Sequence, residues 1–269
     1  MRNVKCRLMN EKRLVLLPSF RSWLSALCRF CGILGPMSQP KPADFAYLYV
    51  QFNAPITALD CGKKCAPYNE YGVPFCCDTS HAIPTAYQAE WAYLQSNTDL
   101  WHPWEADDPI ETEELRADTP EGQTLIECQG HRYCQRNFRS ITCRAFPFFP
   151  YVTRQGEFLG LSYYWQYEDR CWVINHLEVV TPIYVQEFVS AYDWIFENVP
   201  GELENFRYHA AVMRRVFGRQ KRGIPLLHRD GGVFMVTPKD GSLTPIDSAD
   251  LPKFGPYEIA AQMPFPDEV

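Results

Sequence analysis

Eight cysteines fall between Cys61 and Cys171 in three groups, and thiol-based metal binding is the first chemistry they bring to mind. Cys61-x3-Cys65 is followed after ten residues by the doublet Cys76-Cys77. Cys128-x5-Cys134-x8-Cys143 makes a second group, and Cys171 stands alone. The intervening stretches carry Gly and Pro, and loops of that kind let several sulfurs converge on one point. The thiolate is the ligand, and a bound cation keeps it deprotonated near neutral pH. Zinc takes four such ligands in a tetrahedron, and iron–sulfur clusters commonly take four cysteines. The eight residues Cys61, Cys65, Cys76, Cys77, Cys128, Cys134, Cys143 and Cys171 are therefore the candidate ligands. They could fill two four-thiolate sites, or one site with spares. Cys76 and Cys77 are adjacent and project differently, so both can ligate only over a kinked backbone or beside two metal atoms. His81 and His131 lie near the cysteine groups and could each replace a sulfur. Each of these residues also has a plainer reading: a buried small hydrophobe for a cysteine, a solvated ring for a histidine.

Whether those sulfurs are free depends on the compartment. A secretory signal needs an uninterrupted apolar stretch and a small-residue cleavage site. Here the N-terminal apolar stretch is broken by Pro18, Arg21 and Arg29, and no run approaches the ~20 residues of a membrane-spanning helix. We expect a reducing, cytoplasmic setting. Residues 1–36 carry seven Lys/Arg and one acid, a net charge of +6, against −12 for the remainder. That break fits an organellar transit peptide, a membrane-surface helix, or polypeptide upstream of a start at Met37. The Cys28–Cys31 pair within it reads as incidental. The overall charge of −6 argues against a nucleic-acid binder by bulk electrostatics. A protein partner remains open, with the acidic stretch 97–124 as one surface for it.

The elements that must position the cysteines are short. At 46% hydrophobic and 14% aromatic the chain can bury a sizeable core, while 22 prolines impose many turns. Tyr47–Phe52 reads as a strand, rich in aromatic and β-branched residues. Residues 61–77 read as a loop. Thr85 and Gln88 have capping-box spacing, so a helix is expected from Thr85 onward, with Tyr87, Trp91 and Leu94 at helical intervals. Residues 97–124 read as an acidic solvated loop. FPFFPYV is punctuated by proline, and LSYYWQY reads as a strand. Helices are expected over Pro182–Asn198 and Gly201–Gly218, the latter with Leu203, Phe206, Ala210, Met213 and Phe217 on one face. The basic run Arg214, Arg215, Arg219, Lys221 and Arg222 suits the helix C-terminus, and alternatively a phosphate. Residues 224–236 read as a hairpin turning near Asp230-Gly231, and 237–269 as an extended surface arm. The expected class is α+β: a small irregular, loop-rich cysteine-cluster core with short strands, then a two-helix segment and a hairpin. The expected divisions are 1–40, 41–178, 179–237 and 238–269.

One stretch is distinctive. In CQRNFRSITCRAFPF, Cys134, Arg139, Cys143, Arg144, Phe146 and Pro147 fall on the C…R…C-R-x-F-P positions of the YkgJ-type cysteine-cluster family, which this segment resembles. Cys76-Cys77 is similar to that family's Cys-Cys doublet, and Trp165 with Cys171 to its closing Trp and Cys. The first-group spacing differs, Ser140 replaces a proline, and Trp172-Val173 replaces Pro-Gly. The resemblance covers residues 61–175. It implies a zinc- or iron-chelating domain. Some relatives are linked to lysine methylation of flagellin, which extends the implication to a metal-dependent, methylase-like protein-modifying enzyme. The alternatives are a non-catalytic structural zinc module and a thiol redox or metal-trafficking protein. Arg144 is expected to offset thiolate charge, and the aromatics from Phe146 to Trp165 to exclude water or simply to fill the core. No G-x-G loop follows a strand, and neither a Ser/His/Asp set nor HExxH occurs, so catalytic residues are not assigned.

Overall fold

The computed structural model describes residues 39–260, so the readings of residues 1–36, of Cys28–Cys31 and of the last nine residues fall outside the described part. Helix α1 spans Pro42–Gln51, with proline in its first turn and the Asp44 carboxylate accepting from the Lys41 backbone N–H at 2.7 Å. This corrects the strand expected at Tyr47–Phe52. Phe45, Leu48, Tyr49 and Phe52 are buried while Tyr47 and Val50 are exposed, a helical period that the β-prone residue types concealed. Helix α2 is the single turn Cys61–Cys65. Strand β1, Thr85–Tyr87, precedes helix α3, Gln88–Asn97, so the helix begins three residues later than Thr85. Thr85 is drawn into a sheet instead, its hydroxyl donating to Gln123 Oε1 at 2.7 Å.

Residues 97–124 are not a loop. They hold strand β2, Trp101–Pro103, and helix α4, Pro109–Asp118, before strand β3, Gln123–Cys128, begins. Asp108 caps α4 by accepting from the Ile110 N–H at 2.9 Å, and Pro109 follows at its first position. Short helix α5, Ile141–Ala145, leads into β4, Phe148–Val152, and β5, Phe158–Tyr163. The strand expected over LSYYWQY ends at Tyr163, and Trp165–Tyr167 forms a 3₁₀ turn. Helices α6, Pro182–Asn198, and α7, Glu202–Gln220, lie close to their expected limits. The hairpin follows as β6, Ile224–His228, and β7, Val233–Val236, turning through Gly231 and Gly232 at positive φ. Strand β8, Leu243–Pro245, and helix α8, Tyr257–Ala260, close the described chain.

The class is α+β, as expected. Strands β1-β3-β2 form one antiparallel sheet and β4-β5-β6-β7-β8 the other. Because β5 pairs with β6, the larger sheet runs across the division expected at residue 178. The apolar face of α7 covers it through Ala210, Met213 and Phe217. His209 lies under the same sheet, 4.3 Å from the Phe149 ring centre, and burial holds its pKa near about 3, so it is neutral. The tail is more tightly held than a surface arm. Lys253 Nζ donates to Asn175 O at 2.8 Å, Phe254 N–H to Asn175 Oδ1 at 2.6 Å, and Tyr257 is fully buried. Arg214 and Arg222 of the basic run are engaged inside the fold, Arg214 on Val152 O at 2.9 Å and Arg222 on Glu168 at 2.7 Å.

Two buried charged groups lock α1, α3 and α5 together. Glu90 of α3 accepts from the Tyr49 hydroxyl at 2.6 Å, from the Ile141 N–H at 2.6 Å and from the Tyr87 N–H at 3.1 Å. Arg144 of α5 lies 4.3 Å over the Tyr49 ring. Its guanidinium donates to Arg139 O at 2.8 Å, Tyr49 O at 2.9 Å, Asn137 O at 2.8 Å, and also to Phe52 O. Carbonyls that end α1 and shape the 137–139 turn are thus satisfied by a single side chain.

Removing Arg144 leaves those buried carbonyls unpaired. Arg144→Met is expected to lower unfolding free energy by on the order of 3 kcal/mol in urea titrations. An unchanged midpoint would contradict its role. Burial raises Glu90 to about 7 from an ordinary 4.5, against the pull of its three donors and of Arg144. The folded protein therefore keeps a proton that the unfolded chain has released, so this group's stabilisation is complete below about pH 4.5 and is lost as pH rises through 7. Glu90→Gln is expected to flatten the fall in stability across that window, and an identical pH profile in the variant would refute it.

Candidate metal centre

Asp60 starts the site by capping α2, its carboxylate accepting from the Gly62 N–H at 3.2 Å. One helical turn then brings Cys61 and Cys65 to the same side. Gly62 is required here: a Cβ would stand 2.9 Å from Pro74 Cγ, so only glycine lets the turn pack against the residue that leads into the doublet. Cys76 and Cys77 sit on a 3₁₀ turn, Phe75–Cys77, held by the Cys77 N–H donating to Pro74 O at 2.8 Å. Their sulfurs are 3.9 Å apart.

The second group is carried by the smaller sheet and α5. Cys128 ends β3 opposite Trp101, and Gly130 at φ +94 turns the chain back. Cys134 follows the 3₁₀ turn His131–Tyr133. Ser140 caps α5, its hydroxyl accepting from the Cys143 N–H at 3.2 Å, which sets Cys143 one residue ahead of the anchored Arg144. Cys171 is fixed by its N–H donating to Tyr167 O at 2.8 Å and its carbonyl accepting from Asn175 Nδ2 at 3.0 Å.

These pieces surround one cavity of about 750 Å³ between the 61–77 and 128–171 segments. Cys61, Cys65, Cys76, Cys77, Cys134, Cys143 and Cys171 all line it. Cys128 stands just behind, close enough for Cys77 and Cys134 to oppose its ionisation. All eight are free thiols. Distant stretches of chain thus bring their cysteines to the wall of one cavity. His131 also reaches the cavity, whereas His81 turns away, Nε2 standing 3.8 Å from Asp78 Oδ2 beside the Phe75 ring. Among the described residues, no three His, Cys, Asp or Glu side chains stand close enough together to hold a metal ion as they are.

The electrostatics follow from that placement. Burial pushes the Cys61 thiol up to about 11 and Cys143 up to about 12, and Cys171 higher still, with neighbouring sulfurs adding to each rise. Cys77 moves the other way, because Cys76 hydrogen-bonds to it and Arg139 faces it. Backbone N–H groups of Val173 and Ile174 favour the thiolate of Cys171, and that of Gly130 favours Cys128.

Arg139, not Arg144, is the cation turned toward sulfur. Its Nε donates to Cys134 Sγ at 3.0 Å. Burial alone would lower its pKa, yet Cys143 and Cys134 drive it upward. Arg144, expected to offset thiolate charge, spends its donors on backbone carbonyls. The spacing that could have separated them is Arg139-x3-Cys143, which sets a guanidinium one turn before a thiol. Phe146 borders the cavity, while Phe148, Phe149, Tyr151 and Tyr163 are plain core and Trp165 packs on His209.

Because Arg139 favours the Cys77 thiolate, removing it makes that thiol less acidic. In metal-free protein at about pH 8, Arg139→Met is expected to slow iodoacetamide labelling of Cys77 roughly three- to tenfold, followed by peptide mass spectrometry. Unchanged labelling rates would contradict the assignment. In comparisons with known proteins, no protein-family model, no curated protein and no solved structure matches the chain.

Proposed function

We propose that the chain is a thiolate-ligated metal protein whose cysteines 61–171 hold an iron–sulfur cluster or zinc. The observation that carries this reading is the convergence of seven cysteines from separate segments on one cavity, with an eighth behind it and Arg139 hydrogen-bonded to a sulfur. Packing thiols together while burying them opposes their ionisation, and a cation among them reverses both effects. Arg139 offsets part of the negative charge that a four-thiolate site retains. The donor set is soft sulfur, which suits zinc and iron–sulfur clusters rather than magnesium or calcium. The resemblance of Cys134–Phe148 to the YkgJ-type family points the same way.

Between the two centres, the breadth of the cavity favours a polynuclear one. A structural zinc site is a closed tetrahedron with Zn–S near ~2.3 Å, and these sulfurs line a much larger volume. A cluster bound here would supply one-electron chemistry, with its potential tuned by Phe146 and Trp172 at the cavity wall. The reading carries with it a reducing, cytoplasmic setting, where free thiols persist. Among the described residues no helix is long and apolar enough to cross a membrane.

Anaerobic purification followed by a visible spectrum and metal and acid-labile sulfide analysis tests the reading. Brown protein with sulfide is expected. Colourless protein with stoichiometric zinc would select the zinc alternative, and metal-free protein would overturn both. Because ligation energy is folding energy, Cys143→Ser is expected to lose metal and to melt roughly 5–10 °C lower. Full metal content in that variant would remove Cys143 from the ligand set.

A further inference from the structure

We propose that the cavity bordered by the cysteines also binds a small carboxylic acid, its carboxylate held by Arg139 and its apolar body lying against Ile56, Leu59 and Trp172. The proposal goes beyond the metal-binding reading and does not depend on it. It rests on the charge and shape of the same wall, not on the sulfurs.

In charge the wall is unlike the rest of the chain. Lys63, Arg136, Arg139 and Arg144 line it against one carboxylate, Asp60, in a protein of net charge −6. Arg144 is occupied by backbone carbonyls, and Asp60 accepts from the Gly62 N–H. Among the described residues, none of Lys63, Arg136 and Arg139 pairs with a carboxylate. Lys63 and Arg136 are exposed, which places them at the mouth, and Arg136 donates to Asn53 O at 3.3 Å. Arg139 lies deeper and uses Nε on the Cys134 sulfur at 3.0 Å. Its terminal nitrogens, Nη1 and Nη2, have no hydrogen-bond partner among the described residues. They offer two parallel N–H donors, the spacing of a carboxylate's two oxygens. Cations at the mouth draw an anion in, and the fork orients it.

The rest of the wall sets what the anion carries. Ile56, Leu59, Trp172 and Val173 border the same cavity, and Leu59 is 56% exposed. That apolar rim is fixed by the backbone. Ile56 O accepts from the Thr181 N–H at 2.9 Å, and the Thr57 hydroxyl donates to Leu59 O at 2.6 Å. A cavity of about 750 Å³, with an apolar side and a few convergent polar groups, has the size and make-up of a small-molecule site. A single open fork suits one planar group of charge −1 better than a phosphate, whose charge is spread over three oxygens. The apolar rim suits a body of several carbons rather than a bare ion.

Isothermal titration calorimetry on the full chain, purified anaerobically, tests this with phenylacetate, hexanoate, phenylacetamide and inorganic phosphate. At least one of the two acids is expected to bind roughly tenfold or more tighter than phenylacetamide, a neutral molecule of phenylacetate's shape, and than phosphate. Added salt should weaken the acid and leave the amide unchanged. Arg139→Lys keeps the charge but loses the fork, and should weaken the acid roughly tenfold without changing the amide. Arg136→Gln, at the exposed mouth, should weaken it roughly threefold, and it stands in where Arg139→Lys does not fold. Acid and amide bound equally well would overturn the carboxylate assignment, as would phosphate bound as tightly as the acids. No binding of either acid at millimolar concentration would overturn the site. Metal content measured on the same samples keeps the two readings apart. Metal-free protein that binds the acid defeats the metal reading alone, and metal-loaded protein that binds neither acid defeats this proposal alone.

Discussion

A buried thiol keeps its proton unless positive charge faces it, and most of this molecule follows from that constraint. Chain segments that are far apart in sequence bring their sulfurs to one cavity, where burial and mutual repulsion hold Cys61, Cys143 and Cys171 neutral. Arg139 hydrogen-bonds to the Cys134 sulfur and relieves part of that repulsion at Cys77. A metal among them would both neutralise the thiolates and join the 61–77 loop to the 128–171 segment.

The surrounding protein keeps those sulfurs in place without help from the site. Arg144 and Glu90 fasten α5 between α1 and α3, so Cys143 projects from a turn whose neighbours on both sides are hydrogen-bonded. The larger sheet, backed by α7, supports the turn that delivers Cys171, and Asn175 binds that turn to the C-terminal segment through Phe254. Cys61 and Cys65 depend on a shorter device, the Asp60 cap and the contact of Gly62 with Pro74. The first group is therefore the more pliable half of the site.

That cysteines from distant segments border one cavity was readable in their spacing, which is independent of secondary structure. The grouping of Cys134, Cys143 and Cys171 with the doublet required only that loops return to one point. The long helices were readable too, since α6 and α7 show an apolar stripe and begin near Pro182 and Gly201. The short elements were not. In α1 the aromatic and β-branched residues that line one helical face also suit a strand, and burial of Phe45 and Leu48 decides between them. The start of α3 moved because Thr85, a good cap, is claimed by pairing with β3. Arg144 was given the role that Arg139 holds for a similar reason. Both lie within one turn of Cys143, and only the carbonyls left by the end of α1 show which guanidinium is occupied elsewhere.

On the proposed function, a metal held here would meet sulfur. X-ray absorption at the metal edge of anaerobically purified protein reads this directly, since it reports the atoms bound to the ion. Sulfur neighbours near ~2.3 Å are expected. Neighbours that are only nitrogen or oxygen, near ~2.0–2.1 Å, would contradict it.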